Sequence, residues 1–181
     1  VTRAARPLAG LLAGLVLVLL ASVALTACGT DSDGELTAAQ EQVSDFTAKE
    51  DARRVALSAA TAFVAEATSY SHRAGEHDFA WVGELLDDKV RGQFEERVPA
   101  LQKAIKASRT TARGKVIQAA GTVVDPTQVE VLAFVEQTIT DSAGESSIEQ
   151  PTLSLTMKQV DGAWRVQSLE FLNQIGVEPA P

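Results

Sequence analysis

The side chains best suited to chemistry stand close together at His72, Glu76, His77 and Asp78. Imidazoles and carboxylates at this density are the raw material of a zinc centre or a general acid–base pair, but such a site needs about three to five groups converging in space. No third histidine exists in the chain, and the two present sit in a polar stretch, Ser71-His-Arg-Ala-Gly-Glu-His77, between helical patterns. The favoured reading is a solvated interhelix loop. A second arrangement would be an isomerase-like site, in which a carboxylate and a phenol meet inside an apolar pocket. The one tyrosine, Tyr70, lies at a helix end, and the strand-borne acids Glu130 and Glu136 fall on the more polar face of their strand. No serine nucleophile elbow, phosphate-binding loop or dinucleotide glycine fingerprint occurs; Gly10 and Gly14 lie in an apolar leader, where small residues serve helix packing at best. No catalytic residue, metal or cofactor is expected, and the chain does not read as an enzyme.

Two further groups are candidates for binding. Trp81, Trp164, Phe134 and Phe171 could line a lipid-sized pocket, since such sites are mostly apolar, but they are read first as the core of a small domain. Asp87, Asp88, Glu95 and Glu96 are read as a solvated acidic face, with a docking surface as the alternative.

Charge divides the chain. Its 181 residues hold 16 Lys+Arg against 24 Asp+Glu, a net charge of −8. Arg3 and Arg6 are the only charges before Asp31, so the part from residue 28 onward holds 14 basic against 24 acidic residues and nets −10. A domain so acidic is a poor partner for nucleic acid, which is held by clustered Lys and Arg. A single cysteine excludes an internal disulfide framework.

That cysteine ends the leader. From Leu8 to Ala27 no side chain is charged, and about 20 helical residues span the roughly 30 Å of a bilayer core. The two arginines hold the N-terminus inside by the positive-inside rule and send the acidic domain outward. Residues 1–28 are therefore expected to be a signal or transmembrane anchor. Leu25-Thr-Ala-Cys28-Gly29 resembles a bacterial lipobox, which makes Cys28 the candidate lipidation site; an uncleaved transmembrane helix is the alternative. Both readings tie the chain to the cytoplasmic membrane with its domain on the extracytoplasmic side.

Residues 29–46 read as a polar linker. The α+β domain is expected over 47–172. Thr47-Ala-Lys-Glu50 has capping-box spacing, and Val55, Ala56, Ala59, Ala60, Phe63, Ala67 and Tyr70 recur at helical steps, predicting a helix to about Ser69. Asp78 is placed to cap a short helix that turns Phe79, Val82, Leu85 and Leu86 inward. Asp87 or Asp88 is placed to cap a third helix with the stripe Val90, Phe94, Val98, Leu101 and Ile105, kinked or broken at Pro99.

Beyond Arg109 the period falls to two. Strands are predicted at 115–124, through Val129, Val131, Ala133, Val135 and Ile139, through Leu153, Leu155 and Met157, and over 163–172. Asp125-Pro-Thr127 and Asp161-Gly162 read as turns, 141–150 as a loop and 173–181 as a flexible tail. Trp164 and Val166 are out of phase with Leu169 and Phe171, which predicts a bulge near Ser168. Helices followed by a meander of about four antiparallel strands make an α+β fold with helices on a curved sheet, the order found in nuclear transport factor 2-like and cystatin-like cones.

Several segments together resemble the Mce-associated membrane proteins of actinobacteria. They are Asp51-Ala-Arg-Arg-Val-Ala-Leu-Ser-Ala-Ala60 with Thr68-Ser-Tyr70, Arg91-Gly-Gln-Phe94, Ala119-Ala-Gly-Thr-Val-Val124, 129–140, and Leu155-Thr-Met-Lys-Gln-Val-Asp-Gly-Ala-Trp-Arg-Val166. The resemblance covers about residues 48–172 and departs from the family's plain transmembrane helix at Cys28. It implies a non-enzymatic accessory protein of an Mce-type lipid import system, working through contacts with transporter subunits. The alternative is a lipoprotein whose cone binds an apolar small molecule or lipid. The lipobox reading predicts that a fatty-acid analogue fed to cells labels the wild-type chain and spares Cys28→Ala; equal labelling of both would sink it.

Overall fold

A computed structural model describes residues 32–73 and 75–172, the side chains at 32–35 and 75–78 excepted. The expected anchor at 1–28, Cys28 and the tail at 173–181 lie outside the described residues. No helix among those described is long and apolar enough to cross a membrane. The chain divides into two compact units between Ser44 and Asp45. The described part of the first is the start of helix α1 (Ser32–Ala67), with every side chain from Leu36 to Ser44 exposed. All that follows concerns the second.

Helix α1 begins well before the capping box at Thr47, which sits inside it. Glu, Gln and Ala favour helix through this stretch, and Lys49–Asp45 at 2.7 Å joins Arg54–Asp51 at 3.1 Å as side-chain pairs one turn apart. Ala52, Ala56, Ala60 and Val64, spaced by four, are buried with Phe63, so the alanines let the helix axis approach the sheet closely. Val55, expected on this face, is exposed, because it lies about 100° round the helix from Ala56. The helix stops at Ala67, and Tyr70 belongs instead to the short strand β1 (Tyr70–Ser71).

The expected second helix is a 3₁₀ segment (Gly75–Glu84) interrupted at Phe79, whose φ is −122°. Its three-residue turn places Val82 and Leu85 on one side, and both are buried with Trp81. Leu86 and Asp87 then donate their amides to Val166 and Gln167 carbonyls at 2.9 and 3.1 Å, tying the segment to a sheet edge. Helix α2 (Asp88–Ser108) starts where Asp87 Oδ1 accepts from the Lys89 and Val90 amides at 2.9 and 3.0 Å. Pro99 does not break it; Pro99 and Glu95 are both exposed, so water can solvate the carbonyl that the missing N–H leaves free. Of the expected stripe, Ile105 is buried and Val90, Phe94 and Val98 are half-buried, but Leu101 is exposed.

Four long strands follow, β2 (Thr111–Asp125), β3 (Gln128–Thr140), β5 (Thr152–Val160) and β6 (Ala163–Phe171), with a short β4 (Ser146–Glu149) inside the stretch expected to be a loop. β4 escapes period-two analysis because all four of its side chains are exposed and only its backbone pairs. The sheet is antiparallel throughout, in the order β1-β2-β3-β5-β6, with β4 beside β3. Asp161 and Gly162 have φ of 52° and 79°, the paired positive values of a two-residue type I′ hairpin. The bulge expected near Ser168 falls at Gln167, between the pairs Thr156↔Ser168 and Met157↔Val166, and lets both Val166 and Leu169 point into the core.

The inner face of the sheet carries Val129, Val131, Ala133, Val135, Leu153, Leu155 and Met157, all buried against α1 and the 3₁₀ segment. The expected α+β class, helices on one face of an antiparallel sheet, is the observed architecture.

The C-terminus of α1 is fastened at one spot. Thr68 is 1% exposed, and a Cβ on Gly114 would lie 1.8 Å from its Oγ1 and 2.6 Å from its Cβ. The Gly114 amide donates to Ser69 Oγ at 3.0 Å, and Gln137, paired with Gly114 across the sheet, donates from Nε2 to the Thr68 carbonyl at 2.7 Å. Gly114→Ala is therefore expected to cost about 2 kcal/mol or more in denaturant unfolding. In a Thr68→Ala background the cost falls but does not vanish, since the Thr68 Cβ contact remains.

Candidate functional site

Beside that fastening the helices and sheet leave a cavity of about 270 Å³. Ala67 and Thr68 come from the end of α1, Tyr70 from β1, Phe79 and Trp81 from the 3₁₀ segment, Phe94, Arg97, Val98 and Leu101 from α2, Gln137 from β3 and Phe171 from β6. The lining is mainly apolar, which suits an organic ligand. Leu101 is exposed because it stands at this cavity rather than in the core. Trp81 is held edge-on between Phe63 and Phe94, with ring centroids at 5.6 and 5.2 Å.

Polar groups on the lining are few. Arg97 is its one charged side chain and forms no ion pair among the described residues. The indole Nε1 of Trp81, a residue 3% exposed, is buried without a hydrogen-bond partner. Burial pushes the Tyr70 phenol above its ordinary range, and the negative charge of Glu149 on β4 pushes it the same way.

The structure places the grouped aromatics on different surfaces and describes one side chain of the histidine group. His72 is half-buried, with Nδ1 3.2 Å from Thr111 Oγ1, and its Nε2 accepts from Arg73 Nε at 3.3 Å. The side chains of Glu76, His77 and Asp78 lie outside the described residues. Among the described residues no three His, Cys, Asp or Glu stand close enough to hold a metal. Glu130 and Glu136 alternate with buried Val129, Val131 and Val135, so they occupy the sheet face opposite Tyr70's cavity. Of the four aromatics expected in a pocket or core, Trp81 and Phe171 reach the cavity. Trp164 lies over a separate groove with Phe63, Glu66 and Glu84, and Phe134 is 38% exposed on the outer face. Asp87 is committed to its cap, Asp88 and Glu95 pair with Arg91, and Glu96 is exposed.

Arg97 and Gln137 are site residues that residue type and spacing alone do not mark. Arg97 sits three residues after Phe94 and four before Leu101, on the flank of the apolar stripe, which is the one signal that could have marked it. Gln137 shares the odd-numbered register of the inner face and is its first polar member after Val135.

No protein-family model matches the chain. Uncharacterized proteins from two strains of Mycobacterium tuberculosis are each 31% identical over 119 residues, 64% of this chain and 53% of theirs. The chain thus spans about half the length of the curated relatives it matches. Among solved structures, an IcmL-like type IV secretion system protein of Legionella pneumophila aligns with TM-score 0.53 at 8% identity, over 62% of this chain and 86% of that one. CagV, a VirB8 homologue of the type IV secretion system of Helicobacter pylori, aligns with TM-score 0.50 at 14% identity, over 65% and 96%. These likenesses are of fold: an α+β domain with helices against one face of an antiparallel sheet, with homologues in an actinobacterium.

Tyr70 is the only tyrosine, so phenolate absorbance reports on this cavity alone. Its midpoint is expected above 10.0 in the folded chain and at the ordinary value in denaturant. Because the folded value is the raised one, the associated stability is present below the unfolded value and is lost as pH rises through the folded one. Glu149→Gln is expected to lower the midpoint only in part, since burial is the larger cause.

Proposed function

We propose that this chain is a non-catalytic accessory protein of an Mce-type lipid import system, held at the extracytoplasmic side of the cytoplasmic membrane and acting through protein contacts. The observation that carries this reading is the outer face of the sheet. There Phe134 and Ile148 are exposed among Gln118, Thr138, Thr152 and Ser154, opposite the face that packs on the helices. Apolar side chains grouped within a polar surface mark protein contact sites, and half-buried Leu132 stands two residues from Phe134 on the same face.

Three further points agree with an accessory role. The fold is shared with two proteins described as type IV secretion system components. Homologues occur in Mycobacterium tuberculosis, and the segments from 48 to 172 resemble the Mce-associated membrane proteins. The uncharged leader, the two arginines before it and Cys28 support the anchored location.

Affinity capture of the full chain from native membranes is expected to recover Mce transporter subunits. Phe134→Ser combined with Ile148→Ser should reduce that recovery about tenfold while leaving thermal unfolding unchanged. Capture that returns no transporter subunit overturns the proposal.

A further inference from the structure

We infer that the cavity between α1, α2 and β3 is a binding site for a small amphipathic monoanion: a single ring or short acyl body ending in a carboxylate. This goes beyond an accessory role through protein contacts, and its failure would leave that role standing.

The volume sets the size. About 270 Å³ corresponds to roughly nine water molecules at about 30 Å³ each, so the occupant has on the order of a dozen non-hydrogen atoms. The lining sets the body. Trp81, Phe94, Leu101 and Phe171 present ring and aliphatic surface that stabilises an apolar group by removing it from water.

Polarity sets the head group. Arg97 is the sole charge on the lining, has no carboxylate partner among the described residues, and its planar fork matches a carboxylate. A carboxylate in the cavity supplies acceptors to that fork. Glu149, whose charge is felt at Tyr70, does not line the cavity and so does not occupy the anion's place.

The test uses the full chain in lipid nanodiscs, with empty discs correcting for partition, and two probes: 4-phenylbutyrate and its neutral analogue 4-phenylbutanamide. Equilibrium dialysis is expected to give saturable binding of the acid at one per chain and weaker binding of the amide. Arg97→Gln should weaken the acid about tenfold and leave the amide nearly unchanged. Trp81→Phe, which keeps a ring but a smaller one on the cavity wall, should weaken both alike, by about fivefold. Leu101→Trp, a replacement at an exposed position on the cavity wall, should abolish both without shifting thermal unfolding. Acid binding indifferent to Arg97→Gln, or no tighter than the amide, overturns the anion assignment. Binding that survives Leu101→Trp, or no saturable binding of either probe, overturns the site. Arg97 and Leu101 are exposed, so these arms stand even if Trp81→Phe fails to fold.

Discussion

The close approach of Thr68 to Gly114 is the constraint on which the rest of the domain depends. A helix C-terminus leaves carbonyls without partners, and burying them against a sheet is costly unless side chains answer. Here Gln137 gives its amide to the Thr68 carbonyl, Thr68 Oγ1 donates back to the Val64 carbonyl at 2.6 Å, and Ser69 Oγ donates to the Ala65 carbonyl at 2.7 Å while accepting from Gly114. The missing Cβ at Gly114 makes room for this arrangement. Two consequences follow directly: Tyr70 is delivered to pair with Ala112, and Ala67, Thr68 and Gln137 become neighbours on one cavity wall.

The sheet then separates two kinds of surface. Its inner face is filled by Val, Leu and Met beneath α1, except where α2 stands off and leaves the cavity. Its outer face alternates Thr, Ser, Gln and Glu with Leu132, Phe134 and Ile148. Because successive side chains on a strand point to opposite faces, Val135 belongs to the core, Glu136 to the outer surface and Gln137 to the helix seat within three residues. Binding of a small molecule within and contact with a protein outside can therefore coexist on one strand.

Local chemistry was the legible part. The Asp87 cap needs only a carboxylate before a helical stripe, the Asp161-Gly162 hairpin needs only two residues that tolerate positive φ, and the bulge at Gln167 follows from one phase slip between Val166 and Leu169. Features lacking a local signal are not legible in the sequence. β4 is held by backbone pairing alone, the start of α1 at Ser32 rests on helix propensity without periodicity, and Leu101 keeps the stripe's spacing while facing an opening. Trp164 and Phe134 were grouped with Trp81 and Phe171 by residue type, whereas strand register assigns them to different surfaces.

By itself the sequence determined the charge division, the order of helices before strands, the caps, the tight hairpin and most of the buried faces, because each depends on residues within a few positions of one another. Only the tertiary structure decided that Thr68, Tyr70, Trp81, Arg97, Gln137 and Phe171 share one cavity. Those residues span six elements, and their meeting is set by how closely α1 can approach Gly114 and how far α2 stands from the sheet. Neither distance is written in any local pattern of the chain.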